Sequence, residues 1–226
     1  MACNKDFTPY ETQVTSITEP FDAAIEVNYE LFKGQGIANG MNEAIQKTII
    51  ASFGDFTDKP PGELQIEAVL TAFDEDYKKF VSDFGDNSPP WELNIESEVI
   101  YQSKHVITVA INTYQDKGGA HGNDSITLLN LNPENGDVFQ SNELIKDLSG
   151  FKQLAESHFF DHVKNNQATE EAEDYFFGED FQLPNNIGFS EEGIILLYNV
   201  YEIASYAQGY TEFTIPYEEA HAYLNF

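Results

Sequence analysis

The segment covering residues 189–226, FSEEGIILLYNVYEIASYAQGYTEFTIPYEEAHAYLNF, determines how the C-terminal part of the chain is expected to fold. The apolar run at residues 194–201 has the length and β-branched content of a strand that is buried on both faces. Residues 210–215 alternate with period two, which predicts a second strand. Pro216 ends that strand and suits the first position of a helix, which we predict over residues 217–224. The segment is therefore expected to form a strand–loop–strand–helix unit.

The loop between these two strands is rich in tyrosine. It contains Tyr201, Glu202 and Tyr206, and Tyr210 follows at the start of the second strand. The simpler interpretation is that these side chains only pack within the unit. The alternative is that they form one polar, aromatic surface that binds a ligand.

The rest of the chain predicts an α+β fold with mainly antiparallel sheets, packed helices and two consecutive α/β subdomains. Residues 24–32 alternate apolar and polar side chains, as a half-buried strand does. Two amphipathic helices are predicted next, up to residue 84, and are followed by a hairpin over residues 91–114. The turn-forming residues 132–137 suggest a boundary. We therefore divide the chain into a tether (1–19), an N-terminal domain (20–132) and a C-terminal domain (133–226), with an early strand expected near residues 14–17.

The net charge of −28 excludes several classes of partner. The chain has 39 acidic residues against 11 basic ones. Nucleic acids and anionic membrane surfaces would repel it, because both are bound through basic side chains. A basic protein is the complementary partner, since opposite fields accelerate association. The acidity is equally consistent with a role in solubility alone.

Cys3 is the single cysteine of the chain, so no internal disulfide and no cysteine metal site is expected. Its position near the start, after a small residue, resembles the lipidated cysteine of a bacterial lipoprotein. An acylated Cys3 would hold the protein at a membrane of the cell envelope through its acyl chains, facing the periplasm or exterior.

The sequence GGAHGN supplies the second candidate site. Gly118, Gly119, His121, Gly122 and Asn123 combine small residues, which permit close backbone approach, with one titratable side chain. His121 can donate a proton there, bind a metal ion or contact a ligand. The alternative is a tight turn in which His121 bonds to a neighbouring carbonyl.

Other chemistry has little support. His158 and His162 have the i,i+4 spacing of a zinc pair, but no third ligand is specified, and a solvated helix face is the preferred interpretation. The chain has no GxSxG, no phosphate-binding loop and no dinucleotide fingerprint. We therefore expect no metal, no cofactor and no catalytic set.

Both candidate loops resemble an extracytoplasmic pair of domains of unknown function. Members include the sensor region of the lysozyme-responsive anti-sigma factor RsiV and the non-catalytic N-terminal region of the peptidoglycan deacetylase PdaC. The resemblance rests on YEIASYAQG at residues 201–209, IPYEE at 215–219 and GGAH at 118–121.

The resemblance implies a non-enzymatic envelope lipoprotein that binds or senses a cell-wall glycan or a basic protein such as lysozyme. The alternative is a cell-wall glycan hydrolase or deacetylase that uses His121. A third hypothesis is an inhibitor of a basic secreted enzyme, whose negative field mimics a polyanion.

Overall fold

A computed structural model describes residues 7–53, 65–85, 89–166 and 175–226, which form an α+β fold with two sheets. Cys3 lies outside the described residues. The first sheet has the order β1-β2-β3-β4-β5, and its neighbours are antiparallel except for the parallel pair β2 and β3. Its strands are β1 (Thr12–Ile17), β2 (Ala24–Phe32), β3 (Glu92–Gln102), β4 (Ile107–Asp116) and β5 (Asn123–Leu131).

Two helices cover one face of the first sheet, α1 (Ile37–Ser52) and α2 (Ile66–Phe84). Alternate strand residues such as Ile95 and Val109 are fully buried beneath them, together with Phe73 of α2. We call this the helix-covered face. The even-numbered residues of β4, and those of β3 up to Glu98, point to the opposite, outer face, where Glu96 and Asn112 are exposed cross-strand neighbours.

The second sheet is antiparallel, with the order β6-β7-β8, and forms its own core with the long helix α4. Phe159 of α4 lies at the centre of this core, within 6.1 Å of the rings of six other aromatic residues. The elements are α3 (Ser141–Leu144), α4 (Leu148–Asn166), β6 (Asn186–Phe189), β7 (Gly193–Tyr198), β8 (Thr211–Pro216) and α5 (Tyr217–Ala220).

Strand β6 packs against β4 and β5, which joins the two sheets. The Asn186 side chain accepts a hydrogen bond from the backbone N–H of Leu128 at 2.9 Å, and Asn130 donates to the carbonyl of Ile187 at 2.6 Å. Gly188 lies so close to Leu128 that an added Cβ would be 2.9 Å from its Cδ1. The second unit therefore sits on one side of the outer face, and its loops lie beside the first sheet.

Three boundaries differ from the sequence prediction. Strand β7 ends at Tyr198, because Asn199 bonds to β5 and Tyr201 enters a turn with φ of 66°. The C-terminal helix predicted over residues 217–224 ends at Ala220, after which residues 221–223 form a 3₁₀ turn. The tether predicted over residues 1–19 contains β1, which belongs to the first sheet because it pairs with β2 from Thr12 onward.

Candidate functional site

Three aromatic side chains from the two units meet at the surface, beside the loop between β4 and β5. The ring of Tyr206 stacks on the imidazole of His121, with centroids 4.0 Å apart and planes inclined by 22°. The Tyr201 ring lies 5.6 Å from that of Tyr206 and 6.3 Å from that of His121. Tyr201 is 53% exposed and Tyr206 37% exposed. We call His121, Tyr201 and Tyr206 the aromatic cluster.

Hydrogen bonds fix the orientation of the His121 ring. Its Nδ1 lies 2.8 Å from the carbonyl oxygen of Gly122, and because a carbonyl only accepts, Nδ1 carries the proton. In the neutral ring Nε2 then accepts from the Tyr201 hydroxyl at 3.3 Å. Tyr206 Oη donates to the same Gly122 carbonyl at 3.4 Å. Both ring nitrogens of His121 are therefore used within the protein, and they hold the ring as a planar surface.

The glycine loop brings His121 to this position. Gly118 has φ of 75°, which glycine adopts without strain, and its N–H donates to the Asp116 side chain at 2.8 Å. Gly122 is buried against the ring of Tyr114, where a Cβ would overlap the phenol. The loop therefore needs glycine at both ends, and Gly122 in particular allows Tyr114 to lie beneath the aromatic cluster.

On the other side, a clamped turn after β7 positions Tyr201. The Glu202 carboxylate accepts the backbone N–H of Asn185 through one oxygen and that of Asn199 through the other, both at 2.8 Å. The Asn199 side chain pairs with both the N–H and the C=O of Ile126 in β5. Tyr201 occupies the left-handed region between these anchors, a conformation that costs a non-glycine residue roughly 1 kcal/mol.

A short 3₁₀ turn positions Tyr206. Ser205 precedes it and forms a reciprocal capping box with Gln208, whose Oε1 accepts the Ser205 backbone N–H at 3.1 Å. Gly209 ends the turn with φ of 70°. The geometry of this turn places the Tyr206 ring over His121.

Negative charge and buried polar atoms lie beneath the cluster. Tyr210 Oη and Asp124 Oδ1 are buried, and neither makes a hydrogen bond with a described group. Burial raises the pKa of Tyr210, and the nearby Asp124 carboxylate raises it further although the two groups do not reach hydrogen-bonding geometry. Burial also raises the pKa of Tyr114, followed by the charges of Asp116 and Glu92. The cluster is therefore an aromatic surface next to carboxylates.

The structure brings together part of the residue set predicted from the sequence. His121, Gly122, Tyr201 and Tyr206 contact one another as described above. The Glu202 carboxylate binds two backbone N–H groups, so its observed role is to hold the turn. The remaining predicted residues do not join the cluster: Tyr210 lies beside Asp124 below it, Gly118 and Gly119 form the exposed turn, and Asn123 is an exposed residue that begins β5.

Tyr114, Asp116 and Asp124 were not predicted. Tyr114 and Asp124 are cross-strand partners in β4 and β5. Strand alternation alone places Tyr114 and Asp116 on the same face of β4, opposite to buried Thr113. This alternation next to the GGAHGN loop was the available signal.

The predicted histidine pair on α4 makes separate contacts. His158 lies 3.2 Å from Glu219, whereas the His162 ring lies 5.9 Å from that of Phe213. Within the described ranges, no group of three histidine, cysteine or acidic residues is arranged to hold a metal ion. Of the helices that the structure describes, none combines the length and apolar character needed to cross a membrane.

The chain matches two families in succession. Residues 20–124 match the family described as Deacetylase PdaC, and residues 136–218 match the family described as Protein of unknown function (DUF3298). The resemblance inferred from the two loops is thereby confirmed. No curated protein matches the chain.

Two crystal structures share the fold over nearly the whole chain. A member of the DUF3298 family from Bacteroides fragilis superposes with a TM-score of 0.69 at 20% identity, covering 96% of this chain and 94% of that one. A DUF3298 family protein from Pseudomonas aeruginosa superposes with a TM-score of 0.67 at 17% identity, covering 96% and 95%. The α+β fold with two consecutive units is therefore that of solved DUF3298 family proteins.

Proposed function

We propose that this pairing of a PdaC-like region with a DUF3298 domain is a non-enzymatic binding or sensing module of the cell envelope. Its ligand is a cell-wall glycan or a basic protein such as lysozyme, and the aromatic cluster is its contact surface. The observation that carries the proposal is the stacking of His121 on Tyr206 beside Tyr201, which leaves exposed ring surface formed jointly by both units.

The bonding of His121 favours recognition over proton transfer. A general base needs a ring nitrogen within reach of the proton that it removes. Here Nδ1 is committed to the Gly122 carbonyl and Nε2 to the Tyr201 hydroxyl. The imidazole is thus oriented as a contact surface, which supports a binding module ahead of a hydrolase or deacetylase.

A glycan suits the ring surface. The apolar faces of sugar rings stack on aromatic side chains, and the hydroxyls and amides around them need polar partners. Tyr201 and Tyr206 present both a ring and a hydroxyl, as amphipathic aromatic side chains at binding surfaces do. The match to the PdaC family supports a cell-wall ligand by analogy.

A basic protein is the second candidate, and charge is the observation that favours it. The chain carries a net charge of −28. Asp116 and Glu92 lie close to Tyr114 beneath the cluster, and their charges add to the effect of burial, which raises the pKa of Tyr114 most. Carboxylates beside aromatic rings suit lysine and arginine side chains, through ion pairs and cation–π contacts.

The envelope location belongs to the same proposal. Acylation of Cys3 would anchor the chain at a membrane, with the segment before β1 as the connection to an N-terminal domain that extends to residue 132 and a C-terminal domain of residues 133–226. Mass spectrometry of the protein purified from membranes tests this part. A diacylglyceryl adduct on Cys3 is expected, and an unmodified thiol would contradict it.

Calorimetric titration with soluble peptidoglycan fragments and with lysozyme tests the binding function. At least one ligand is expected to bind the wild-type protein, and Tyr206→Ala should weaken that binding by at least tenfold. Phe160→Ala is the matched control, because Phe160 is an aromatic residue of α4 that is 53% exposed outside the cluster. Equal affinities of the wild-type protein and Tyr206→Ala would contradict the role of the cluster.

A further inference from the structure

Among the residues that the structure describes, strand β1 is the terminal strand of its sheet, with β2 on one side and an open hydrogen-bonding edge on the other. The N–H of Lys33 donates to the carbonyl of Glu11, and this pair continues the register of β1 with β2. Because bonded pairs alternate in an antiparallel ladder, the odd-numbered residues of β1 face β2 and the backbone groups of Thr12, Val14 and Ser16 face outward.

Other edge positions of the same sheet are closed by asparagine side chains. Asn42 bonds to both the N–H and the C=O of Phe32 at the end of β2. Asn199 does the same at Ile126 of β5, and Asn186 accepts the N–H of Leu128. Each amide occupies the place of a neighbouring strand. Gln102 likewise bonds to both the N–H and the C=O of Tyr10, just before β1. Within the described part of the chain, however, no side chain bonds to the outward backbone groups of Thr12, Val14 and Ser16, although such protection is common at natural sheet edges.

The side chains of β1 do not close its own edge. The hydroxyl of Thr12 donates to Glu30 and that of Ser16 to Asn28, so both are directed to β2. Val14 between them is 64% exposed. The segment TQVTSI contains no lysine, proline or charge that would discourage pairing with another strand.

A groove begins at this edge and crosses the outer face of the sheet. It has a volume of about 420 Å³ and includes residues from all five strands, among them Val14, Glu30, Glu96, Glu98, Ala110 and Ile126. Val14, Ala110 and Ile126 contribute apolar side chains to its lining, and Glu96 and Glu98 are exposed along it. None of the described residues that line it is basic.

Charge determines which occupant fits this surface. A second copy pairing through β1 would bring together two chains with a net charge of −28 each, with the acidic grooves side by side. At physiological salt the screening length is about 8 Å, so charges at such an interface still repel. An extended segment rich in lysine or arginine gains attraction instead, because its long side chains reach over β1 towards Glu30 and the groove.

We propose that β1 and the adjoining groove bind an extended cationic polypeptide segment by strand addition, with backbone bonds to Thr12, Val14 and Ser16. The inference goes beyond the proposed function, because it assigns a second binding surface that is separate from the aromatic cluster and does not depend on it.

A variant series on the full chain tests the proposal, with a synthetic peptide that alternates lysine with threonine and valine as the probe. Val14→Pro removes the outward N–H without removing a bond to β2, since proline is tolerated on edge strands. Val14→Thr is the matched control that keeps the N–H. Peptide affinity measured by calorimetry should fall at least tenfold in Val14→Pro and stay within twofold in Val14→Thr.

Charge variants provide the second arm. The double variant Glu96→Gln, Glu98→Gln should bind the peptide at least threefold more weakly than the wild-type protein. Added salt should also reduce the peptide affinity of this variant less than it reduces that of the wild-type protein. The double variant Glu67→Gln, Glu75→Gln removes the same charge from exposed positions of α2 and should bind as the wild type does. This arm does not depend on whether Val14→Pro folds.

The outcomes separate the alternatives. Absence of binding to the wild-type protein at millimolar peptide, or equal loss in both double variants, overturns the proposal. A β1-dependent dimer in sedimentation would assign the edge to a second copy and overturn the cationic partner. If Tyr206→Ala loses peptide binding while Val14→Pro binds as the wild type does, the peptide binds at the aromatic cluster. That result would also overturn the proposal. Failure of glycan or lysozyme binding at the cluster would leave these results unchanged.

Discussion

The phenol ring of Tyr206 stacks on the imidazole of His121 at a centroid distance of 4.0 Å, although the two residues belong to different units of the chain. Neither unit alone forms this surface. The contact depends on a glycine loop on one side and a clamped turn on the other, and each support can be changed separately.

Gly122→Ala should disturb the loop from below. The added Cβ would overlap the Tyr114 ring, so the ring or the loop must move. We expect a loss of about 1–3 kcal/mol in the free energy of unfolding, as is usual for overpacking. Gly119→Ala is the control, because its Cβ would be 3.8 Å from the nearest atom, the carbonyl oxygen of His121. Urea denaturation compares the two variants, and equal stability would show that the contact with Tyr114 is unimportant.

Tyr201→Gly should separate stability from binding. Glycine relieves the left-handed strain at φ of 66°, worth roughly 1 kcal/mol, while the loss of a partly exposed aromatic contact costs about as much. Thermal unfolding should therefore change little, whereas affinity for a ligand of the aromatic cluster should fall. Tyr201→Phe keeps the ring and should retain most of the affinity. A large loss of stability in Tyr201→Gly with unchanged affinity would assign Tyr201 a purely structural role.

Glu202→Gln should weaken the turn that carries Tyr201. Glutamine offers one acceptor where the carboxylate offers two, so the N–H of Asn185 or of Asn199 loses its partner. We expect a loss of about 1–3 kcal/mol in unfolding free energy. Glu218→Gln, an exposed residue of α5, is the control and should have little effect. If Glu202→Gln lowers ligand affinity without lowering stability, Glu202 contacts the ligand directly, as the sequence predicted.

Asp74 of α2 makes the stability of the first unit dependent on pH. Its carboxylate accepts the N–H groups of Asp22 at 2.7 Å and Ala23 at 2.8 Å and pairs with Lys78 at 2.6 Å. Burial acts to raise the pKa of Asp74, but these bonds outweigh it and lower the pKa below its usual value. The ionised Asp74 carboxylate therefore stabilises the folded state above about pH 4, and this stabilisation is lost as the pH falls through the folded-state pKa.

Comparing the stability of the wild-type protein with that of Asp74→Asn separates the pH dependence caused by Asp74 from that caused by the other carboxylates. At pH 7 the variant should be less stable by about 1–3 kcal/mol. The difference from the wild-type protein should shrink as the pH falls below about 4, because protonation of Asp74 removes the same interaction. Urea denaturation of both proteins at several pH values measures the difference in their unfolding free energies. If that difference stays constant down to pH 3, the pKa of Asp74 is not lowered.

Much of the architecture follows from local pattern. The alternation in residues 24–32 gives β2, and the apolar run after Gly193 gives the buried strand β7. These predictions succeed because periodicity reflects which face is buried, which is a local property. The helix expected over residues 217–224 fails in its second half, where Leu224 forms a bridge with Ile145 that local propensity does not encode.

The candidate site was predictable in its parts but not in its assembly. GGAHGN and the tyrosine-rich turn each stood out, yet their meeting depends on β6 packing against β5. That packing is set by distant pairs such as Asn186 with Leu128 and Asn199 with Ile126. The role of Glu202 could not be predicted from the sequence for the same reason, because one of its two hydrogen-bond partners, Asn185, lies before β6 and is distant in sequence.

The most direct test of the central claim is the affinity of the wild-type protein and Tyr206→Ala for peptidoglycan fragments and for lysozyme, measured by calorimetry at one pH and salt concentration. At least one of the two ligands should bind the wild-type protein, and its affinity should fall at least tenfold in Tyr206→Ala and remain unchanged in Phe160→Ala. Identical affinities in all three proteins, or no binding of either ligand to the wild-type protein, would contradict the assignment of the aromatic cluster as the binding surface.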